Sequence, residues 1–304
     1  MKKTMRKAMS KICLVLALLL LLSACGASSG SGKLRIIDSR ISEGKLIIAM
    51  VKMLIEDRTD VKVEIMDEMS AVNSYNEILR GNADAFNTYD GTALTTFLHY
   101  DVEDLPAGSS IHEFVNEKLA KDKLELLKKL GNNNTYAIAV TPAVMEKYSL
   151  KTISELAECA PELVFGAEHD FFTEEGNIKF GPFSKEYNLT FKDTYRVDLG
   201  LKYAALSSEE MDVTVVYTTD GLNLKTDLTI LEDDKGFFPD YFGALMVRSE
   251  IFEKYGEELR DVMNLLEGLL PNDEMTKLTY AVDIEMRDIN EVAKEFLLEK
   301  GLLK

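Results

Sequence analysis

The chain has 304 residues with 52 acidic and 35 basic side chains, a formal net charge of −17. Such an acidic surface argues against nucleic acid or anionic lipid as a partner and mildly favours attraction of a cationic solute. Three cysteines (Cys13, Cys25, Cys159) and three widely spaced histidines (His99, His112, His169) offer no disulfide framework, no metal-ligand spacing and no HExxH, so no metal and no other cofactor is expected.

The chain starts with Lys2, Lys3, Arg6, Lys7 and Lys11, no acidic residue among them, and then runs apolar for eleven residues, Ile12 to Leu22. A bilayer-spanning helix needs about 20 such residues, whereas a signal-peptide core needs fewer. The run closes on Leu22-Ser23-Ala24-Cys25-Gly26, which resembles the lipobox of bacterial lipoproteins. Residues 1–24 are expected to be removed as a signal peptide, with Cys25 acylated and residues 25–33 forming a Gly/Ser-rich tether. Loss of the leader's five basic residues takes the net charge from −17 to about −22. The mature protein is thus expected outside the cytoplasm, held at the membrane by lipid.

Leu34 to Ile37 reads as a buried strand, and Ile47, Ile48, Val51, Leu54 and Ile55 recur at helical spacing within Lys45 to Glu56. Val61, Val63 and Ile65 alternate like a strand; Tyr75 to Arg80 reads as a helix that Gly81 ends. This alternation predicts an α/β layer with a parallel sheet. Phe114 to Leu130 reads as a helix or a helix plus a strand, and Asn132-Asn133-Asn134 as a polar break before a β-like run, Tyr136 to Val140. Thr152-x-x-Glu155 has the form of a capping box. Val213–Val216 and Leu228–Leu231 read as further strands, and the chain from Ser249 as mainly helical, closing with Glu291–Glu299 and a terminating Gly301. No internal repeat is evident. No GxSxG elbow with a placed histidine supports a secreted α/β hydrolase, and no GxxxxGK[ST] binds nucleotide, so no catalytic residue is expected.

Five blocks in order carry a resemblance: Ile41-Ser42-Glu43-Gly44, then Asp84 to Leu94 around Tyr89-Asp90-Gly91-Thr92, then Asn134-Thr135-Tyr136-Ala137, then Tyr217-Thr218-Thr219-Asp220-Gly221, then Phe237-Phe238-Pro239-Asp240-Tyr241. With the ending Glu291 to Leu302, they resemble the OpuC/OpuB-type osmoprotectant-binding lipoproteins of ABC importers, over about residues 34–304. The resemblance implies a two-lobed, type II periplasmic-binding-protein-like α/β fold, its ligand cleft lying between lobes joined by two crossing segments. It places lobe I at residues 34–133 plus 235–304 and lobe II at 134–234. It also implies a monomer that delivers glycine betaine, carnitine or choline to a permease.

A quaternary ammonium offers no N–H, so it is held by ring faces through cation–π attraction and dispersion. The family's four cage tyrosines match Tyr89, Tyr136, Tyr217 and Tyr241; the other eight tyrosines read as packing residues, with Tyr203 and Tyr195 the first candidates to depart from that. Ser39 stands where the family often has Gln, Asp90 where it often has Thr, and Phe86 replaces a Tyr. Thr92 and Thr219 are polar contact candidates. Asp90 beside the cage would repel a ligand carboxylate, which favours choline; capping the following helix is its other reading. Arg40 leaves open an amino acid or other carboxylate as ligand, which would need no cage.

Overall fold

The computed structural model describes residues 32–173 and 177–303; the signal-peptide segment, Cys25 and most of the expected tether lie outside them. Ten strands form two five-stranded sheets. The first contains β1 (Leu34–Ile37), β2 (Val63–Met66), β3 (Ala85–Tyr89), β4 (Leu124–Leu126) and β10 (Gly243–Arg248), in the order β2-β1-β3-β10-β4. The second contains β5 (Tyr136–Val140), β6 (Val164–Glu168), β7 (Asp193–Val197), β8 (Val213–Tyr217) and β9 (Thr229–Ile230), in the order β7-β6-β8-β5-β9.

The two sheets share one topology. Three parallel strands come first (β2, β1, β3 in one; β7, β6, β8 in the other). An antiparallel strand then pairs with the third, β10 with β3 and β5 with β8. Each antiparallel strand follows a passage of the chain from the other sheet, so each sheet is completed by a strand that arrives from its neighbour.

The first core forms under the helix Ser42–Arg58, whose Leu46, Ile47, Met50, Val51, Leu54 and Ile55 are buried at i, i+3 and i+4 spacing. The C-terminal helices Asn272–Asp283 and Ile289–Glu299 pack against it and share its core through Met275, Val292, Phe296 and Leu297. Truncating one such side chain to Ala costs about 2–5 kcal/mol. The second core is phenylalanine-rich: Phe165, Phe171, Phe183 and Phe238 are buried in it, with Phe172, Phe180, Phe191 and Phe237 packed around them. Their rings meet at centroid separations such as 5.0 Å for Phe165–Phe191 and 5.8 Å for Phe183–Phe238, within the range of favourable aromatic pairing.

The chain crosses between sheets at residues 130–134 and 239–242, and the two passages pair with each other. Leu130 N donates to Gly243 O, Gly243 N to Asn132 O and Asn134 N to Tyr241 O, all at 2.9 Å. The Asn133 side chain completes the ribbon, accepting from Tyr241 N at 2.7 Å and donating to Asp240 Oδ1 at 2.7 Å. Asn272 bonds the Asn133 backbone on both sides, N–H and C=O.

Candidate functional site

The shared topology places two of the four tyrosines at equivalent positions and the other two near the start of the antiparallel strands. Tyr89 ends β3 and Tyr217 ends β8, the third parallel strand of each sheet. Tyr136 opens β5 directly opposite Tyr217, while Tyr241 stands two residues before Gly243, which opens β10 opposite Tyr89. Ligands of α/β sheets collect at such carboxyl ends of parallel strands.

The Tyr136 and Tyr217 rings lie 5.0 Å apart at 34°, and the Tyr217 hydroxyl donates to that of Tyr136 at 3.4 Å. Tyr136 rests edge-on against Phe171 (5.6 Å) and Phe238 (6.2 Å), so the phenylalanine core fixes its plane. Tyr217 is 41 % exposed and has no such backing. Tyr89 sits across from this pair: burial and Glu43 raise its phenol pKa well above the ordinary value, and Tyr217 is near enough to add to the effect. Tyr241 lies on Gly91. A Cβ on that glycine would meet ring atoms of Tyr241 at 2.6–2.7 Å, so the close seat requires glycine.

Asp90 is 0 % exposed. Its Oδ1 accepts from Gly91 N and Phe242 N, both at 2.8 Å, which ties the end of β3 to the second crossing segment. Lys129 Nζ stands 3.7 Å from Oδ2. Burial pushes this carboxyl up to about 6, against the pull of the Phe242 N–H, Lys129 and the Gly91 N–H. Ser39 is half-buried; its Oγ accepts from Ile41 N at 3.3 Å and covers Gly44. Thr92 is half-buried in the helical turn Asp90–Thr92. Thr219 is buried, and its carbonyl accepts from Thr279 Oγ1 at 2.9 Å.

Sequence reasoning missed the group at the centre of this seam. Glu43, in the first turn of helix Ser42–Arg58, is 3 % exposed. Its Oε1 accepts from the Tyr89 hydroxyl at 2.6 Å and from Asn132 Nδ2 at 2.7 Å. Asn134 Nδ2 lies 3.5 Å from both carboxylate oxygens and donates to the Tyr89 oxygen at 3.2 Å. The Thr219 hydroxyl, from the second sheet's side, faces the same carboxylate. Burial raises the Glu43 pKa, opposed by hydrogen bonds from Thr219, Tyr89, Asn132 and Asn134. One carboxylate therefore gathers groups from the first sheet, the first crossing segment and the loop after β8. Glutamate in a helix's first turn ordinarily reads as a solvated residue favoured by the dipole, so its burial was not legible; its place in the first matching block, Ile41 to Gly44, was the one signal that pointed to it.

Two cavities lie elsewhere. One of about 900 Å³ is lined by Lys33, Arg58, Lys62, Lys254 and Tyr255 among others; one of about 360 Å³ lies between Thr141, Leu206, Met211 and Leu228. Neither touches the four tyrosines, and no described cluster of His, Cys, Asp and Glu has metal-binding geometry.

Residues 32–299 match the family described as the substrate binding domain of ABC-type glycine betaine transport systems. The chain belongs to that family. It is 32 % identical over 292 residues to the carnitine transport binding protein OpuCC of Listeria monocytogenes, covering 93 % of each chain. It is 33 % identical over 233 residues to an ergothioneine transport permease/ergothioneine binding protein, EgtU, of Helicobacter pylori, covering 76 % of this chain and 41 % of that longer protein. A solved structure described as a glycine betaine/carnitine/choline ABC transporter superposes with a TM-score of 0.82 at 29 % identity, over 90 % of this chain and all of that one.

Membership makes this protein the solute-binding component of an ABC importer for glycine betaine, carnitine or choline-type solutes, acting outside the cytoplasm and passing a small ligand to a permease. It is not an enzyme. The two-lobed α/β architecture expected from the sequence is the one observed.

Proposed function

We propose that Tyr89, Tyr136, Tyr217 and Tyr241 form a cage for the trimethylammonium group of the imported solute, and that choline is the solute it suits best. What supports this reading most is that Tyr89 and Tyr217 end the third parallel strand of each sheet, that Tyr136 opens β5 opposite Tyr217, and that Tyr241 lies on Gly91 beside Tyr89. Desolvated rings contribute about 1–2 kcal/mol each, so four supply about 4–8 kcal/mol gross. Micromolar binding needs about 8 kcal/mol net, so polar contacts and lobe closure make up the rest.

The choline preference now rests on the charges around the rings. Glu43 lies against Tyr89, and Glu168 and Asp170 lie close enough to raise the Tyr136 pKa. The buried lysine of the region, Lys202, is committed to Glu168 Oε1 (2.6 Å) and Val215 O (3.0 Å). A ligand carboxylate meets acceptors here, whereas an alcohol can donate to them. Asp90, from which the sequence suggested choline, is better understood as the clamp between β3 and residue 242. Ser39, Thr92 and Thr219 remain second-rank contacts, Thr219 through Glu43.

The lobes then meet at the paired crossings, with the second hinge at 239–242, since Phe237 and Phe238 still pack in the second core. Ligand bridging both sets of rings biases the hinge toward closure. Cys25 lipidation and a monomeric state complete the reading. A thermal-shift panel of choline, glycine betaine, carnitine, ergothioneine, arginine and phosphate tests it. A true ligand at 100 times its Kd adds about 2.7 kcal/mol of stability. Stabilisation by arginine or phosphate with none from the trimethylammonium compounds would refute the cage.

A further inference from the structure

Glu43 is a buried carboxylate without a buried cation. None of the ion pairs among the described residues involves it, whereas Asp90, Glu168 and Asp170 each have a lysine within 4.0 Å. Leaving a charge unpaired in a protein interior is costly, and a glutamine of the same shape would satisfy a purely structural need with less desolvation. Burial pulls this group toward its protonated form, and the surroundings oppose that pull. Its partners donate: a phenol, two amides and a threonine hydroxyl, and the start of a 17-residue helix favours negative charge. Reversing either amide would set a carbonyl oxygen against the carboxylate, so Glu43 also fixes Asn132 and Asn134. Their Oδ1 atoms are left buried and unpartnered, as is Asn87 Oδ1 on the same strand as Tyr89. The seam is thus lined by acceptors and one net negative charge.

From the 2.6 Å bond between Tyr89 and Glu43 and the missing cation, we infer that Glu43 is the buried counter-charge of the ligand's ammonium, acting through Tyr89 as a positioning and polarising residue. This rests on the cage reading. The Tyr89 hydroxyl gives its hydrogen to the carboxylate, which pushes electron density into the ring and strengthens the face offered to a cation. Hydroxyl and ring orientation are fixed at the same time. The ligand supplies the charge that the protein interior withholds, so the selected property is positive charge and not only the shape of three methyl groups.

The test compares choline and tetramethylammonium with 3,3-dimethylbutan-1-ol, which replaces choline's nitrogen by carbon and is neutral. Calorimetry on the intact lipid-free mature chain should show Glu43→Gln weakening both cations about tenfold while the neutral alcohol changes less than about twofold. Tyr89→Phe should lose the same cation-selective part, and adding Glu43→Gln to it should alter the choline-to-alcohol ratio by less than about twofold. Equal losses for cations and alcohol, or no loss, would overturn the inference by leaving Glu43 a structural residue. Additive effects of the two substitutions would overturn the route through Tyr89. If Glu43→Gln does not fold, Tyr89→Phe alone decides, because a ratio unchanged from wild type rules the route out. Wild-type protein that binds neither cation refutes the cage itself, an outcome distinct from all of these.

Discussion

Gly91→Ala isolates the contribution of Tyr241, the ring seated on that glycine. The added Cβ would lie 2.6 Å from Tyr241 Cε2 and 2.7 Å from Cδ2 and Cζ, where carbon atoms rest at about 3.5–4.0 Å. The ring must therefore withdraw by about 1 Å. Gly91 lies in a helical turn with no positive φ, so alanine itself suits the backbone and recovers up to about 1 kcal/mol. A ring drawn back that far from a desolvated ammonium forfeits most of a contact worth about 1–2 kcal/mol, which weakens the Kd about 5- to 30-fold. Calorimetric titration with choline and carnitine measures it, alongside the apo melting temperature, which should move by only a few degrees. In a double-mutant cycle, Gly91→Ala added to Tyr241→Ala should cost nothing further, because the ring that transmits the effect is gone. Unchanged affinity in the single variant would refute the argument and place Tyr241 outside the contact surface; an additive double variant would show that the turn itself had been damaged.

Tyr217→Ala should weaken trimethylammonium binding at least about tenfold with little loss of apo stability, since the ring is 41 % exposed; unaltered affinity by calorimetry would remove it from the site. Tyr136→Ala should weaken binding as much and also cost stability, up to about 3 kcal/mol, because it leaves a gap against Phe171 and Phe238; equal melting temperatures for the two variants would contradict that difference. Asp90 holds its proton more tightly folded, near 6, than unfolded, near 3.8, so its stabilisation is present at low pH and is lost as pH rises from about 4 to 6. His112, pushed down to about 4 by burial, has the opposite sign in that window, so wild type must be compared with Asp90→Asn: the variant should gain on wild type by up to about 3 kcal/mol between pH 4 and 7, and parallel melting curves would refute the shift. Gly221→Ala would bring a Cβ to 2.5 Å from Tyr280 N and 2.7 Å from its Cα, backbone atoms that cannot rotate away. It should cost about 1–3 kcal/mol and weaken ligand binding as the loop after β8 lifts off helix Asn272–Asp283, which small-angle scattering would register as a larger radius of gyration.

Regular elements with an apolar period were legible in the sequence: the helix read from Lys45 to Glu56 forms as Ser42–Arg58, and the runs at Leu34, Tyr136 and Val213 form β1, β5 and β8. β7 was not, because its residues Asp193–Arg196 are exposed and an edge strand needs no alternation. The Phe114–Leu130 segment is a helix, Ile111–Leu119, and a strand, β4, divided by Lys123 at φ +56°, a left-handed turn that lysine does not advertise. Thr152 starts no helix. Glu155 accepts from Lys151 N and Thr152 N while Thr152 bridges to Glu232, so the capping-box pattern closes a turn ahead of a helix that begins at Leu156. The tyrosines proposed as the cage were singled out through motif order, which carries information that local pattern does not. Glu43, Asn132 and Asn134 were passed over because their burial depends on the meeting of two sheets distant in sequence, which no local pattern encodes. The duplicated topology escaped for a related reason: strand order repeats, while the residues filling it do not.

Two aromatic residues three positions apart moor the second crossing at both ends, Phe238 in the phenylalanine core and Tyr241 on Gly91. The slack between them is Pro239 and Asp240, one already stiff in φ and the other held by Asn133. Such a strap behaves like a watch spring, with little travel at its centre and a large sweep at the rim. Substitutions at positions 239 and 240, whose side chains are not among the cage rings, should therefore tune how fast the jaws release cargo more than what they select.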